Sequence, residues 1–167
     1  MIDLEYIPPY YQKYLKWVKD GEIFGLLESN FRKSKEFLNN IPVDKQDYFY
    51  APRKWSVKQI VQHLIDVERI FMYRALRFSR YDATDLHGFD HDDYINVAMI
   101  ESIAYIDLVK EWESVRMSTL YFYKNLNSKL LRRTGRASGF EFSIESIGYI
   151  LVGHTRHHTS TIKEKYL

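Results

Sequence analysis

Four stretches of roughly twenty residues carry large apolar side chains at intervals of three and four, the period of a helix with one buried face. Such segments leave few options besides a bundle, because each must bury its stripe against the others. With 7 Gly and 4 Pro in 167 residues, little interrupts them. The first runs from about Gly21 to Asn39, with Ile23, Leu26, Leu27, Phe31 and Phe37 at helical spacing and Pro42 ending it. The second follows "APRKW", where Ser56 with Gln59 three residues on forms a capping box. Val57, Ile60, Val61, Leu64, Val67 and Phe71 make its stripe, which continues to about Arg80. The third spans roughly Ser102 to Asn125, with Ile106, Val109, Trp112, Val115, Leu120 and Phe122 as core positions. Ser143 opens the fourth, with Glu145 near the positive end of the helix dipole, and it runs to about Tyr166.

A shorter helical piece, "YYQKYLKWVKD", follows Pro8 and Pro9. No segment alternates with period two well enough to read as a strand; "YFYAP" at 48–52 comes nearest. The connections 81–101 and 127–142 exceed what a helix hairpin needs. The expectation is an all-α, four-helix bundle with a long crossover connection, one domain over residues 1–167.

The chain contains no cysteine, which excludes disulfides, thiolate metal sites and a cysteine nucleophile. A net charge of +2 gives no electrostatic footprint for nucleic acid. No apolar run reaches the ~20 residues of a membrane span, and the first residues lack the basic flank and apolar stretch of a signal peptide. These readings predict a cytoplasmic protein with neither nucleic-acid nor membrane partners. Aromatics reach 16% of the residues, mostly as filling for a core that needs large side chains.

The segment "GHTRHHTSTI" (153–162) holds three histidines. Successive helical residues turn by about 100°, so His154 and His158 lie only about 40° apart, on the stripe of Ile144, Ile147, Leu151 and Ile162. His157 falls about 60° to the other side, as a surface or supporting residue. Two histidines at this spacing can converge on one divalent ion. They can equally be hydrogen-bonded core residues, although burying two imidazoles without a shared partner is costly. A third ligand has to come from elsewhere. His63, on the shoulder of the second stripe, suits better than His87 or His91, which lie in the acidic connection "DLHGFDHDDY".

"WSVKQIVQHLIDVE" (55–68) and "GHTRHHTSTI" together resemble the DinB/YfiT-like superfamily of metal-binding four-helix bundles. In that family a Trp-Ser opening leads the helix of the first ligand, and a late H-x-x-H-H segment supplies the other two. The resemblance implies metal ligands at His63, His154 and His158. It also implies either hydrolase-like chemistry or transfer of a low-molecular-weight thiol to an electrophile, on a small-molecule substrate, with a homodimer common. One position departs: Gly153 stands where the YfiT-like branch often has a large aromatic, which bears on the pocket wall.

A three-histidine site leaves the ion its full charge, lowering the pKa of bound water toward ~7 or holding a thiol as thiolate. Zinc or nickel suits it best, with iron or manganese as alternatives. No general base stands out. Asp66 and Glu68 read as solvated surface charges, with orientation of a ligand as the sharper option, and Arg116 reads as part of a surface ion pair. "DHDDYINVAMIE" (90–101) fails as a calcium loop because Tyr94 and Ile95 occupy positions that need an oxygen ligand and a glycine. The basic turn with Lys129, Arg132, Arg133 and Arg136 reads as a solvated helix end that is also able to hold an anion. The rival to an enzyme is a noncatalytic bundle, metal-stabilised or apo, serving as a stress-related binding or interaction protein.

Overall fold

The computed structural model describes residues 5–167. A one-turn helix, α1 (Pro9–Gln12), and a 3-10 turn at Leu15–Trp17 lead into α2 (Ile23–Asn39). A further turn, α3 (Val43–Gln46), precedes the long α4 (Val57–Ser79). The crossover carries α5 (His91–Val97) and leads to α6 (Tyr105–Lys124). After the turn α7 (Ser128–Leu131), two short strands, β1 (Thr134–Ala137) and β2 (Phe140–Ser143), run directly into α8 (Ile144–Lys165). Among the described residues no helix is long and apolar enough to cross a membrane.

The four expected long helices are α2, α4, α6 and α8, and their starts follow local chemistry. Ser56 and Gln59 close the expected box at α4, with bonds of 2.8 and 3.2 Å. At α8 the reciprocal partner of Ser143 is Ser146, again with both bonds formed. Glu22 caps α2 by accepting from the amides of Phe24 and Gly25.

In cross-section α2 touches α6 and α8, and α4 touches the same two, so α2 stands diagonal to α4 and α6 diagonal to α8, while the consecutive pair α4 and α6 are neighbours. The buried side chains give the directions. Ile23, Val67, Phe71, Leu120, Tyr123 and Ile147 share one apolar cluster; Leu38, Val57, Ile60, Leu108, Trp112 and Ile162 share another. Thus α2 and α8 run one way while α4 and α6 run the other. Parallel α4 and α6 require the chain to return along the bundle, and residues 80–104 form that long crossover.

Two details differ from the sequence reading. Positions 48–52 are irregular, and the strands lie instead in the connection 127–142, as an antiparallel hairpin pairing Thr134 with Ser143 and Ala137 with Phe140. Ser138 and Gly139, both at positive φ, make its turn. The hairpin packs flat on the end of α4, where a Cβ at Gly135 would stand 2.1 Å from the Phe78 ring. Leu86 of the crossover exchanges backbone bonds with Arg136 and Ser138 and is pinned there.

The second difference is the inward face of two helices. Ile106 is 47% exposed, whereas Arg116 and Thr119 of α6 are wholly buried. On α2, Leu26, Phe31 and Phe37 are half-buried while Asn30 and Ser34 point in. The apolar stripes are broken because a polar layer crosses the bundle at mid-height, between the two apolar clusters.

Candidate functional site

Antiparallel packing of α4 on α8 brings His63 against the His154–His158 pair. The Nε2 atoms of His63 and His154 are 3.0 Å apart, and those of His158 and His154 are 3.1 Å apart. Ligand atoms of all three lie within 4.8 Å of one another. His63 and His154 are buried and His158 half-buried. The sequence reading of this trio therefore corresponds to one cluster in space.

Hydrogen bonding alone does not account for these distances. An imidazole nitrogen offers one in-plane position, either a proton or a lone pair. The His154 Nε2 faces two other ring nitrogens and can pair with only one. A shared cation removes the conflict, since three lone pairs then point at one centre. Two nitrogens 2.0–2.1 Å from an ion at 90–109° stand about 2.8–3.4 Å from each other, and the observed separations fall in that range. The donor set therefore fits a divalent metal.

Burial prepares the ligands. Desolvation, reinforced by His91, lowers the His63 pKa to about 3. Desolvation first, then the neighbouring histidines, hold His154 and His158 well below the usual range. All three are neutral at pH 7 and present lone pairs without losing protons.

The cluster forms one wall of a cavity of about 470 Å³. Trp55, just before α4, packs at a tilt with its ring 4.7 Å from that of His63, and Tyr14 meets His154 edge-on at 5.2 Å. Val67, Phe71 and Ile150 make the floor, and Lys13 brings a cation to the lining. His91, expected to rank behind the trio, lines the same cavity with its ring 5.6 Å from that of His63. His87 is exposed and takes no part. His157 flanks the pair as expected, packing against Tyr14 and Trp17.

Gly153 explains how the roof is attached. A Cβ there would stand 2.5 Å from the Tyr14 carbonyl oxygen, so the glycine lets the N-terminal segment lie directly on α8. Arg156 fastens the same segment by donating to the Trp17 carbonyl at 2.6 Å. The space an aromatic at position 153 would fill is taken by the Tyr14 backbone. Nothing in the sequence announced the role of Tyr14, because its partner is a backbone surface 139 residues away.

Glu68 and Arg116 correct the sequence reading. Neither is a surface charge: Glu68 is 1% exposed and Arg116 0%. The Arg116 Nε donates to Glu68 at 2.6 Å, one Nη to Asn30 at 2.6 Å and the other to Thr155 at 3.0 Å. Thr119 donates to the same Glu68 oxygen at 2.7 Å. All four long helices contribute, and Thr155 adjoins His154. Charge alone suggested solvent; full pairing is what permits burial. Asp66 is half-buried, accepts from Gln62 and has its pKa raised, chiefly by desolvation.

Of the other sequence candidates, Asp90 lines the cavity and the basic turn lies outside it. Asp90 accepts from the amides of Asp92 and Asp93 as the cap of α5. In the basic turn Lys129 and Arg132 are exposed, Arg136 lies 3.6 Å from Asp85, and Arg133 stacks on Tyr81.

Comparison with known proteins adds two findings. The sequence profile of the DinB superfamily matches residues 26–162. Among solved structures, YfiT from Bacillus subtilis, described as a probable metal-dependent hydrolase with an unusual four-helix bundle topology, is similar with a TM-score of 0.75. Identity is 16%, over 98% of this chain and 90% of that one, so the likeness is one of fold. No curated protein sequence matches.

Proposed function

The chain belongs to the DinB superfamily, and from that premise we propose that it is a metal-dependent enzyme acting on a small molecule through a divalent ion held by His63, His154 and His158. The observation that carries this reading is the convergence of three Nε2 atoms, two from buried and one from a half-buried histidine, with that of His154 facing both others, at the wall of a roofed cavity. The description of YfiT supports the hydrolase side of the reading. Zinc or nickel suits three imidazoles best, with iron or manganese next.

A bound divalent ion supplies Lewis acidity, which acidifies a water or thiol and polarises an acceptor oxygen. The chain's own residues do the rest. Trp55 and Tyr14 fix the His63 and His154 rings by contact. The aromatic roof and apolar floor displace water from the substrate's surroundings. Lys13 favours an anionic ligand at the entrance.

One observation favours a thiol over water as nucleophile. Asp90 is the carboxylate that lines the cavity, and hydrogen bonds from the Asp93 and Asp92 amides hold its pKa down. It is thus a poor base. A thiol, with a pKa near ~8.5, ionises without one more readily than water does. The chain has no cysteine, so the thiol would arrive as a cosubstrate.

Tag-free protein purified without added metal is expected to contain about one equivalent of a divalent ion by elemental analysis, and His158→Ala to lose it. A content near zero, with no rebinding of zinc, nickel or manganese, would overturn the reading. Metal-loaded protein is then incubated with a model electrophile, with and without small thiols. A metal-dependent conjugate identifies transfer, and thiol-independent cleavage identifies hydrolysis. Neither product with metal bound identifies a noncatalytic, metal-stabilised bundle.

A further inference from the structure

Arg74 lies on α4 about three turns beyond His63 and is 1% exposed. Its environment differs from that of Arg116, the other deeply buried arginine, which has Glu68 at 2.6 Å. Among the described residues no carboxylate pairs with Arg74. Nη2 donates to the His87 carbonyl at 3.2 Å and to Ser138 Oγ at 2.8 Å. The guanidinium stands 5.0 Å from the Phe71 ring centre and 5.8 Å from that of Phe142. Nη1 is buried with no hydrogen-bond partner. The Tyr11 phenol is a neutral neighbour of the guanidinium and no counter-charge, because burial raises its pKa despite the Arg74 charge and a side-chain hydrogen bond with Arg74.

A guanidinium stays protonated even when desolvated, so this cation is buried among neutral acceptors and aromatic rings with no counter-charge from the described residues. It lines a second cavity, of about 380 Å³, between α4 and the crossover. Leu86, Gly88 and Phe89 close the crossover side, and Tyr94 of α5 adds an aromatic face. The other arginine of that lining, Arg77, is already paired with Asp82. Phe89 lines both this cavity and the histidine cavity, and Phe71, under the guanidinium, lines the latter. The two spaces are therefore neighbours.

We propose that Arg74 anchors an oxyanion, the carboxylate or phosphate of a small-molecule ligand, in the cavity beside the histidine site. The assignment names the ligand class for the proposed function, and it rests on that reading only in taking the anion to belong to the substrate or thiol cosubstrate. Binding itself needs no metal. An anionic oxygen against the guanidinium would supply the missing counter-charge and, with a small shift of the side chain, a partner for the shielded Nη1, and a charge-assisted bond in such a site is strong.

The test uses full-length, chelator-treated protein titrated with inorganic phosphate and, separately, acetate, followed by nuclear magnetic resonance of the Arg74 side chain and nearby amides. A saturable shift at Arg74, Gly88 and Ser138 is expected with at least one of the two, and the stronger arm tells phosphate from carboxylate. Arg74→Met should weaken binding about tenfold to a hundredfold. Arg74→Lys keeps charge but loses the fork and should weaken it several-fold. Ser138→Ala, which touches Arg74 but not its charge, should stay within about threefold of the parent. If Arg74→Met does not fold, the lysine variant carries the comparison. Equal affinity in parent and Arg74 variants, shifts confined to the histidines, or no saturation would overturn the proposal. Because metal is absent, this outcome is independent of the metal-content result.

Discussion

A histidine at the surface gains its proton near pH 6.5, whereas His63, His154 and His158 are held neutral far below that. The sign of the stability effect follows. A base whose folded pKa is depressed binds protons in the unfolded chain first, so its contribution is complete above about 6.5 and is lost as pH falls. For His63 the loss continues to about pH 3. Metal-free protein should therefore lose up to ~1.4 kcal/mol per pH unit for each of the three below pH 6.5. Urea denaturation at pH 7.5, 6.0 and 5.0 measures this, and His63→Gln should flatten the slope. A slope unchanged by that substitution would contradict the buried neutral state. At the same scale, the ligand trio was legible because helical spacing and mid-helix position act locally. Glu68 and Arg116 were not, because what makes their burial tolerable is a partner on another helix.

Among the elements, the four long helices could be read from period and capping, and the crossover from its length. The hairpin was missed, since four-residue strands are too short to establish alternation, although the Ser138–Gly139 pair is a recognisable turn signal. The docking of the N-terminal segment was equally invisible. It depends on the absence of a side chain at Gly153, and an absence carries no periodicity. Gly153→Ala is expected to push Tyr14 off α8 and destabilise the fold by about 1–3 kcal/mol. Faster proteolysis before residue 20 and a change in Trp17 fluorescence would register the lifted roof. Unchanged proteolysis would show that the segment is held by its other contacts.

Across the whole molecule, the polar layer of Asn30, Glu68, Arg116, Thr119 and Thr155 separates two apolar halves at the height of the histidines. Removing one member of the central ion pair leaves a buried charge, so Glu68→Met is expected to cost about 3–5 kcal/mol. Glu68→Met with Arg116→Met should recover much of that, because Thr119 and Thr155 retain bonds to backbone carbonyls. Denaturant midpoints of both singles and the double give the coupling, and simple additivity would mean the pair is not a unit.

The proposed ion sits between α4 and α8, joining positions 91 residues apart. It is in effect a removable crosslink, closing a loop over more than half the chain. Once free metal exceeds its dissociation constant, each further tenfold rise adds about 1.4 kcal/mol to stability by mass action. A chelator should accordingly lower the melting temperature, and graded metal buffers should move it continuously. Endurance would then follow supply, the same chain persisting where the ion is plentiful and turning over quickly where it is scarce.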